Sequence, residues 1–345
     1  LMIRRPPRST LDRSAASDVY KRQKFKVAIT DGDYPTMDPE REVLSSIAEL
    51  VKYDCRSEED VIRYAWDADG IIVDYAPITR RVIENMPKLK VVSRYGIGVD
   101  NIDVEAATER GIIVANVIYD VSPIAEHTIA LLLACWRKIM QADKNLRRGT
   151  WSYQQLIPIK LLRSSTVGII GLGRIGRAVA TRLKCFNPRI IAYDPYVKDE
   201  VFNKIGVEKV ELDYLLTESD AILIHTPLTR ETYHLINEEK IRLMKPTAII
   251  VNTARGSIID RQALYKALKE KWIASAALDV VEGEPLNSND PLLSLDNIII
   301  TPHMAWYSEE TIYEIQRKAA LNVLKVLRGE IPENIVNPEV LKKTR

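Results

Sequence analysis

A glycine turn, Gly171-Leu172-Gly173-Arg174-Ile175-Gly176, lies between the apolar run Thr166-Val167-Gly168-Ile169-Ile170 and an amphipathic stretch from Ile175 to about Leu183. A chain that must pass so abruptly from strand to helix is committed to a strand–turn–helix unit. The first glycine permits the tight turn, the second lets backbone approach a pyrophosphate, and Gly176 lets the helix pack closely on the strand. The amides near Arg174 and Ile175 would face phosphates from the positive end of the helix dipole. Asp194 ends the next apolar run, at the distance where a carboxylate accepts ribose hydroxyls and repels a 2′-phosphate, which favours NAD over NADP. An aspartate before Pro195 also caps a turn, so Asp194 carries both readings.

The surrounding pattern agrees with such a unit. Short β-branched runs alternate with amphipathic stretches: Phe25–Thr30, Gly70–Val73, Leu89–Val92 and Gly111–Val114 form one series. A second comprises 166–170, Arg189–Tyr193, Ala221–Ile224, Ala248–Val251, Ala274–Leu278 and Ile298–Ile300. This rhythm predicts an α/β protein with two doubly wound parallel sheets, the glycine turn opening the second. Between them, Ser122 to about Arg148 reads as one long connecting helix, with Ser122 as N-cap, Pro123 at its first position and Gly149 as its stop. Ser308 to about Arg328 is again amphipathic and is expected to return to the first unit.

Composition removes other classes. The stretch Leu1 to about Gln23 is Arg/Ser/Pro-rich and aperiodic, and reads as the translation of a sequencing adapter, a non-native disordered tail. Its six basic residues (Arg4, Arg5, Arg8, Arg13, Lys21, Arg22) outnumber Asp12 and Asp18, so leaving it aside moves the net charge from +2 to about −2, with nothing basic left to suggest nucleic acid. Cys55, Cys135 and Cys185 are odd in number and far apart, which fits a reducing, cytoplasmic setting rather than disulfides or a metal site. The most apolar helical stretch, Thr128–Cys135, is too short to span a bilayer.

Three residues at the ends of short apolar runs supply reaction chemistry. Arg255 follows Val251-Asn252-Thr253-Ala254, where a guanidinium can clamp a carboxylate through two parallel hydrogen bonds. His303 follows Ile298-Ile299-Ile300-Thr301-Pro302, with Glu284 upstream in a Gly-Glu-Pro turn. A carboxylate beside an imidazole favours the protonated ring, which can hand its proton to a carbonyl oxygen. Asp279, at another strand end, is a candidate partner for a nicotinamide carboxamide or a turn cap. Of the remaining histidines, His127 falls inside the connecting helix, His225 ends a strand on the adenine side and His234 lies in a polar loop. Together these residues suggest hydride transfer between a nicotinamide cofactor and a 2-oxo or 2-hydroxy acid.

The segments at 171–176, Asn-Thr-Ala-Arg-Gly at 252–256, Leu-Asp-Val at 278–280, Gly-Glu-Pro at 283–285 and Thr-Pro-His at 301–303 resemble the D-isomer-specific 2-hydroxyacid dehydrogenases, over about Lys24 to Leu341. The resemblance implies a Rossmann NAD-binding domain (118–306) inserted in a flavodoxin-like substrate domain (24–117 and 307–338), usually a homodimer built through the long helix and the arm near Trp151. It implies Arg255 as substrate clamp, Glu284 as partner and His303 as acid/base. The loop Arg94-Tyr95-Gly96-Ile97-Gly98-Val99-Asp100 would meet the substrate, through Tyr95, Gly96 and Ile97. Cofactor contacts are implied at Gly171, Gly173, Arg174, Ile175, Gly176, Asp194, His225, Thr226, Pro227, Thr253, Ala254, Asp279 and Ile97.

The continuation Met304-Ala305-Trp306-Tyr307-Ser308-Glu309 resembles the C-terminal-binding protein branch, as does Gly329-Glu330-Ile331-Pro332. There the tryptophan lines the pocket and suits a longer apolar side chain; Trp306 packing at a domain hinge is the alternative. The branch also contains NAD-sensing interaction proteins, so a binding role stands beside the enzymatic one, and a short-form phosphoglycerate dehydrogenase is left open by Arg80, Arg81 and Arg94.

Overall fold

The computed structural model describes residues 24–342; the stretch 1–23 read as an adapter-derived tail lies outside them. The chain forms two compact units, one running to Tyr119 and resuming at Ile312, the other contiguous from Asp120 to Thr311.

The first unit is built on a five-stranded sheet of order β2-β1-β3-β4-β5, with β1 Phe25–Ile29, β2 Ala48–Lys52, β3 Gly70–Val73, β4 Val91–Arg94 and β5 Ile113–Ala115. The second carries a seven-stranded sheet of order β12-β11-β10-β9-β6-β7-β8, with β6 Thr166–Ile170, β7 Arg189–Tyr193, β8 Glu208–Lys209, β9 Ala221–Ile224, β10 Ile249–Asn252, β11 Ser275–Leu278 and β12 Ile298–Ile300. Every strand pair is parallel. Parallel strands covered on both faces read as unbroken apolar runs. Ile71, Ile72 and Val73, like Ile222, Leu223 and Ile224, are fully buried, each aliphatic side chain contributing about 1.5–3 kcal/mol by leaving water.

Several expectations need correction. β2 was absent from the predicted series because Ala48-Glu49-Leu50-Val51-Lys52 is interrupted by charge; it is an edge strand paired only with β1, and only Ala48 is buried. β8 escaped for the same reason, two exposed residues on the opposite sheet's edge. β4 and β5 begin about two residues later than the apolar runs suggested. The connecting helix is two helices, Ser122–Trp136 and Ile139–Arg147.

The break in that helix has a clear cause. The first half is apolar and buries Ala125, Leu131, Leu132, Cys135 and Trp136, whereas the second buries nothing. Lys138 takes a left-handed conformation (φ 52°) between them, while Trp136 Nε1 donates to the Lys160 carbonyl (2.9 Å) and Lys138 Nζ to that of Leu156 (2.8 Å). Ser122 is the first helical residue rather than the cap: its amide donates to Asp120 Oδ1 (2.9 Å), and its hydroxyl accepts from Arg182 (2.8 Å).

The final long helix, Glu309–Leu327, contributes its residues from Ile312 onward to the first unit. Gln316 Nε2 donates to the Thr36 carbonyl (2.6 Å) and to both carboxylate oxygens of Glu40 (3.0 Å). Asn322 Nδ2 donates to the Asn116 carbonyl (3.1 Å). Asn337 Oδ1 accepts from the Val114 amide (2.9 Å). Buried polar groups are thereby paired where the two stretches of this unit meet.

Candidate active site

Register puts the candidate residues of the second unit in a row. Ile170 pairs with Tyr193 and Ile224, Ile224 with Asn252, Asn252 with Leu278, and Leu278 with Ile300. The residues that follow, Gly171, Asp194, His225, Thr253, Asp279 and Thr301, therefore stand side by side along the carboxyl edge. Strand order reverses between β6 and its neighbours β7 and β9, and ligands of open α/β sheets bind outside the carboxyl ends at such a switch point.

The glycine turn fits a dinucleotide. Gly171 has φ +91°, and a Cβ there would lie 2.6 Å from the His225 carbonyl oxygen. A Cβ on Gly176 would lie 2.1 Å from the Gly171 oxygen, so the helix Arg174–Leu183 presses on the turn. A Cβ on Gly173 would meet nothing within 4 Å, the open side from which a pyrophosphate can approach. The Asp194 carboxylate accepts from the Leu172 amide (2.8 Å) and from the amides of Tyr196 and Val197 (3.0 and 3.2 Å). It thus caps its turn and braces the glycine turn, while Oδ2 keeps acceptor capacity for a hydroxyl. His225 is buried with both ring nitrogens unpartnered, and desolvation lowers its pKa to about 3, so the ring is neutral. Thr226 and Pro227 continue outward from it, half-buried and exposed. Thr253 Oγ1 meets Thr128 Oγ1 of the connecting helix at 2.8 Å.

The loop after β10 is shaped by Asn252, whose side chain accepts from the Ala254 amide (3.0 Å) and donates to the Arg255 carbonyl (2.9 Å). The Arg255 guanidinium donates to the Ala254 carbonyl (2.8 Å) and is partly exposed. Gly256 is required by close approach: a Cβ would sit 2.1 Å from the Val281 carbonyl carbon and 2.3 Å from the Glu282 nitrogen. The arginine loop therefore lies directly on the turn that bears Glu284.

Glu284 Oε1 and His303 Nδ1 are 2.6 Å apart, and Glu284 Oε2 accepts from the Val281 amide (3.1 Å). His303 is in the left-handed region at φ +53°, its amide donating to the carbonyls of Asp279 (2.9 Å) and Thr301 (3.0 Å). Asp279 holds this loop: its carboxylate accepts from Thr301 Oγ1 (2.5 Å) and from the amides of Met304 (3.0 Å) and Ala305 (2.8 Å). Burial pushes its pKa up, but His127, Thr301 and the two amides outweigh this and hold it below the usual range. His127, a helix residue in the sequence, reaches Thr301 Oγ1 at 3.0 Å and Asp279 Oδ1 at 3.4 Å. Trp306 is half-buried, edge-on to Tyr307 at 5.9 Å.

In the first unit the loop after β4 is anchored from below. Tyr95 is buried; its phenol donates to Glu40, and its ring lies 4.7 Å from that of Tyr34. Burial, with Glu40 beside it, raises the phenol well above its ordinary pKa. Arg94 pairs with Asp74 (3.3 Å) and donates to the Tyr95 carbonyl (2.5 Å). Asn116 donates to the Ile97 carbonyl (2.7 Å), and the Val117 amide to that of Gly96 (2.9 Å).

Besides the reach of His127 to Asp279, the sequence gives no sign of a second pair: His234 Nε2 lies 2.8 Å from Glu282 Oε1. Its residues are forty-eight apart in the chain and neither belongs to a recognisable motif, so no local signal marked it. Among the described residues no cluster of three or more His, Cys, Asp or Glu side chains is placed to hold a metal ion.

Comparison with known proteins bears on this geometry. Residues 129–305 match the family model described as D-isomer specific 2-hydroxyacid dehydrogenase, NAD binding domain. A glyoxylate reductase of Korarchaeum cryptofilum is 46% identical over 294 residues, 83% of this chain and 88% of that protein. A D-3-phosphoglycerate dehydrogenase of Methanocaldococcus jannaschii is 47% identical over 90% of this chain, which spans only 59% of that protein. The crystal structure of a D-lactate dehydrogenase from Aquifex aeolicus, complexed with NAD and lactic acid, superposes with a TM-score of 0.83 at 30% identity, covering 90% of this chain and 98% of that one. The fold and site define an NAD-dependent oxidoreductase acting on 2-hydroxy acids. The chain belongs to the D-isomer-specific 2-hydroxyacid dehydrogenase family.

Proposed function

We propose that this protein is a 2-oxo acid reductase in which Arg255 clamps the substrate carboxylate and the Glu284–His303 pair moves the proton. The observation that carries the reading is the 2.6 Å contact of Glu284 with His303 Nδ1, which fixes the ring against a carboxylate. His303 gives its proton to the carbonyl oxygen as the carbonyl carbon is reduced, and Glu284 orients the ring. Arg255, fixed by Asn252, holds the carboxylate in two parallel hydrogen bonds. NAD, when bound, supplies the hydride as its reduced form. The glycine turn, Asp194, Thr226, Pro227, Thr253 and Ala254 would hold it, with Asp279 acting through the loop it organises.

The unit formed by residues up to Tyr119 and from Ile312 is the substrate domain in this reading, presenting the loop backbone at Gly96 and Ile97 over the buried Tyr95. Trp306 is assigned to the side-chain end of the pocket and favours longer apolar substrates. A phosphorylated substrate is less well supported: Arg80, Arg81 and Arg94 each face a carboxylate, Glu109, Glu59 and Asp74 respectively. A homodimer is supported by apolar side chains left on the surface between Ile139 and Leu161, including Trp151 at 87% exposure. No described helix is long and apolar enough to cross a membrane. Cys55 and Cys135 are buried thiols pushed up to about 12 and 11, chiefly by desolvation, which suits core packing rather than reactivity.

The test is NADH oxidation against glyoxylate, pyruvate, hydroxypyruvate, 3-phosphohydroxypyruvate and 4-methylthio-2-oxobutyrate. Turnover of at least one, lost in His303→Ala with NADH binding kept, is the expected result. No turnover of any, with tight NADH binding, would point to an NAD-responsive interaction protein.

A further inference from the structure

The turn Val281–Glu284 carries two carboxylates, and each holds an imidazole from a different loop. Glu284 meets His303 at 2.6 Å and Glu282 meets His234 at 2.8 Å. Both histidines are left-handed, at φ +53° and +50°. A residue with a Cβ stays in that region only where its surroundings over-determine it. For His303 the role proposed above accounts for this. His234 touches none of the groups assigned to the reaction, yet it is held as firmly.

Its backbone is tied to the segment that follows Arg255. The His234 amide donates to the Ser257 carbonyl (2.9 Å), the Ile236 amide to that of Ile258 (3.0 Å), and the Asp260 amide to that of Ile236 (3.0 Å). Its ring stacks on Tyr233 at 4.0 Å and reaches Glu282, on the turn that bears Glu284. Between these attachments Gly256 rests on the Val281–Glu282 peptide with no room for a Cβ. One residue is thus fastened through its main chain to the clamp loop and through its side chain to the acid/base turn. A half-exposed pair of this kind stabilises a fold only slightly; the geometry it fixes is a stronger reason for keeping a histidine in a left-handed conformation.

We infer that His234 and Glu282 are positioning residues that set the carboxylate clamp and the Glu284–His303 pair in register with each other. The inference rests on the roles proposed for Arg255, Glu284 and His303. Asparagine tolerates the left-handed conformation but is too short to reach Glu282, so His234→Asn removes the tie without forcing the backbone. Glutamine can reach and donate.

The experiment measures kcat, KM for the 2-oxo acid, NADH Kd and Tm for the wild type, His234→Asn, His234→Gln, Glu282→Ala and the double variant His234→Asn/Glu282→Ala. Expected are a lowered kcat together with a raised KM in His234→Asn, about tenfold in kcat/KM, the order that sub-ångström misplacement produces. NADH Kd should stay within about twofold, Glu282→Ala should reproduce the split, the two losses should not add, and His234→Gln should recover most of the activity. Glu282→Ala leaves the left-handed residue untouched and decides the matter if His234→Asn folds poorly. Values of kcat and KM within about twofold of wild type in Glu282→Ala, whatever its Tm, or losses that simply add, would overturn the inference. An active wild type with a dead His303→Ala and an unaffected Glu282→Ala overturns this inference alone, whereas a wild type that reduces no 2-oxo acid overturns the site reading and the inference with it.

Discussion

The carboxyl edges of the two sheets carry similar residue types in opposite states. On the seven-stranded sheet the side chains of His303, Glu284, His234 and Glu282 are 26%, 38%, 30% and 26% exposed. On the five-stranded sheet Glu40, Tyr95, Asp74 and Asp31 are 1%, 2%, 5% and 7% exposed. There Asp31 accepts from the amides of Asp74, Tyr75 and Ala76 (3.0, 2.5 and 3.1 Å), and Glu40 from Tyr95 and Gln316. Polar groups that must exchange protons or meet a ligand stay accessible; polar groups that only shape a loop can be buried, provided every acceptor is filled. In the reading proposed above, the accessible pairs of the seven-stranded edge serve the reaction, whereas the buried carboxylates of the five-stranded edge, like Asp279 on the other sheet, serve as scaffold.

That contrast can be broken by substitution. The largest effect is expected for His303→Ala, a loss of about 10²–10⁴-fold in turnover with little change in thermal midpoint, measured by NADH oxidation and calorimetry. Gly256→Ala comes next. Its methyl group must displace the Val281–Glu282 peptide, and a shift of about 1 Å in the turn below Glu284 should lower kcat by about 10²-fold, while NADH binding, read by fluorescence, is kept. Tyr95→Phe should invert the pattern: Glu40 loses a buried donor, destabilising the protein by about 1–3 kcal/mol in urea titrations, with a smaller effect on turnover. If Tyr95→Phe instead abolished turnover at unchanged stability, the buried edge would have to be counted as reagent.

A further expectation concerns pH. His225 is neutral when folded, its pKa lowered to about 3 by burial, whereas the unfolded ring titrates near its ordinary value of 6.5. Between these values the unfolded chain binds the extra proton, so stability falls as pH drops below about 6.5 and the contribution stops changing below about 3. His225→Leu should lose less stability than the wild type between about pH 7 and pH 4, and equal losses would mean the ring finds a proton acceptor in the folded state.

These particulars also show what a sequence makes legible. The row Gly171, Asp194, His225, Thr253, Asp279 and Thr301 could be anticipated because each residue follows a parallel strand written as an apolar run, including the partly buried edge strand β12. Tertiary partners were not legible. Nothing local says that His127, on an apolar helix, reaches Asp279, or that His234 reaches Glu282. β2 and β8 were invisible because these two edge strands carry charge, and the split at Lys138 because the side chains around it attach to the carbonyls of Leu156 and Lys160, distant in sequence. Asp194 was read as a ribose ligand or a turn cap, and the structure shows the cap while leaving an oxygen lone pair for the other role.

The interrupted course of the first unit has a consequence for how the protein is made. A ribosome releases residues in order, so Asp120–Thr311 is complete before Asn322 and Asn337 exist. Until then the Asn116 carbonyl and the Val114 amide lack their partners, and the sheet face beside Gly70 lacks the cover of Val323. The inserted unit is free to fold first, and the strands synthesised earliest are the last to be closed. During that interval the nascent chain presents an open parallel sheet edge and an apolar face, the two features that make an incomplete sheet prone to self-association.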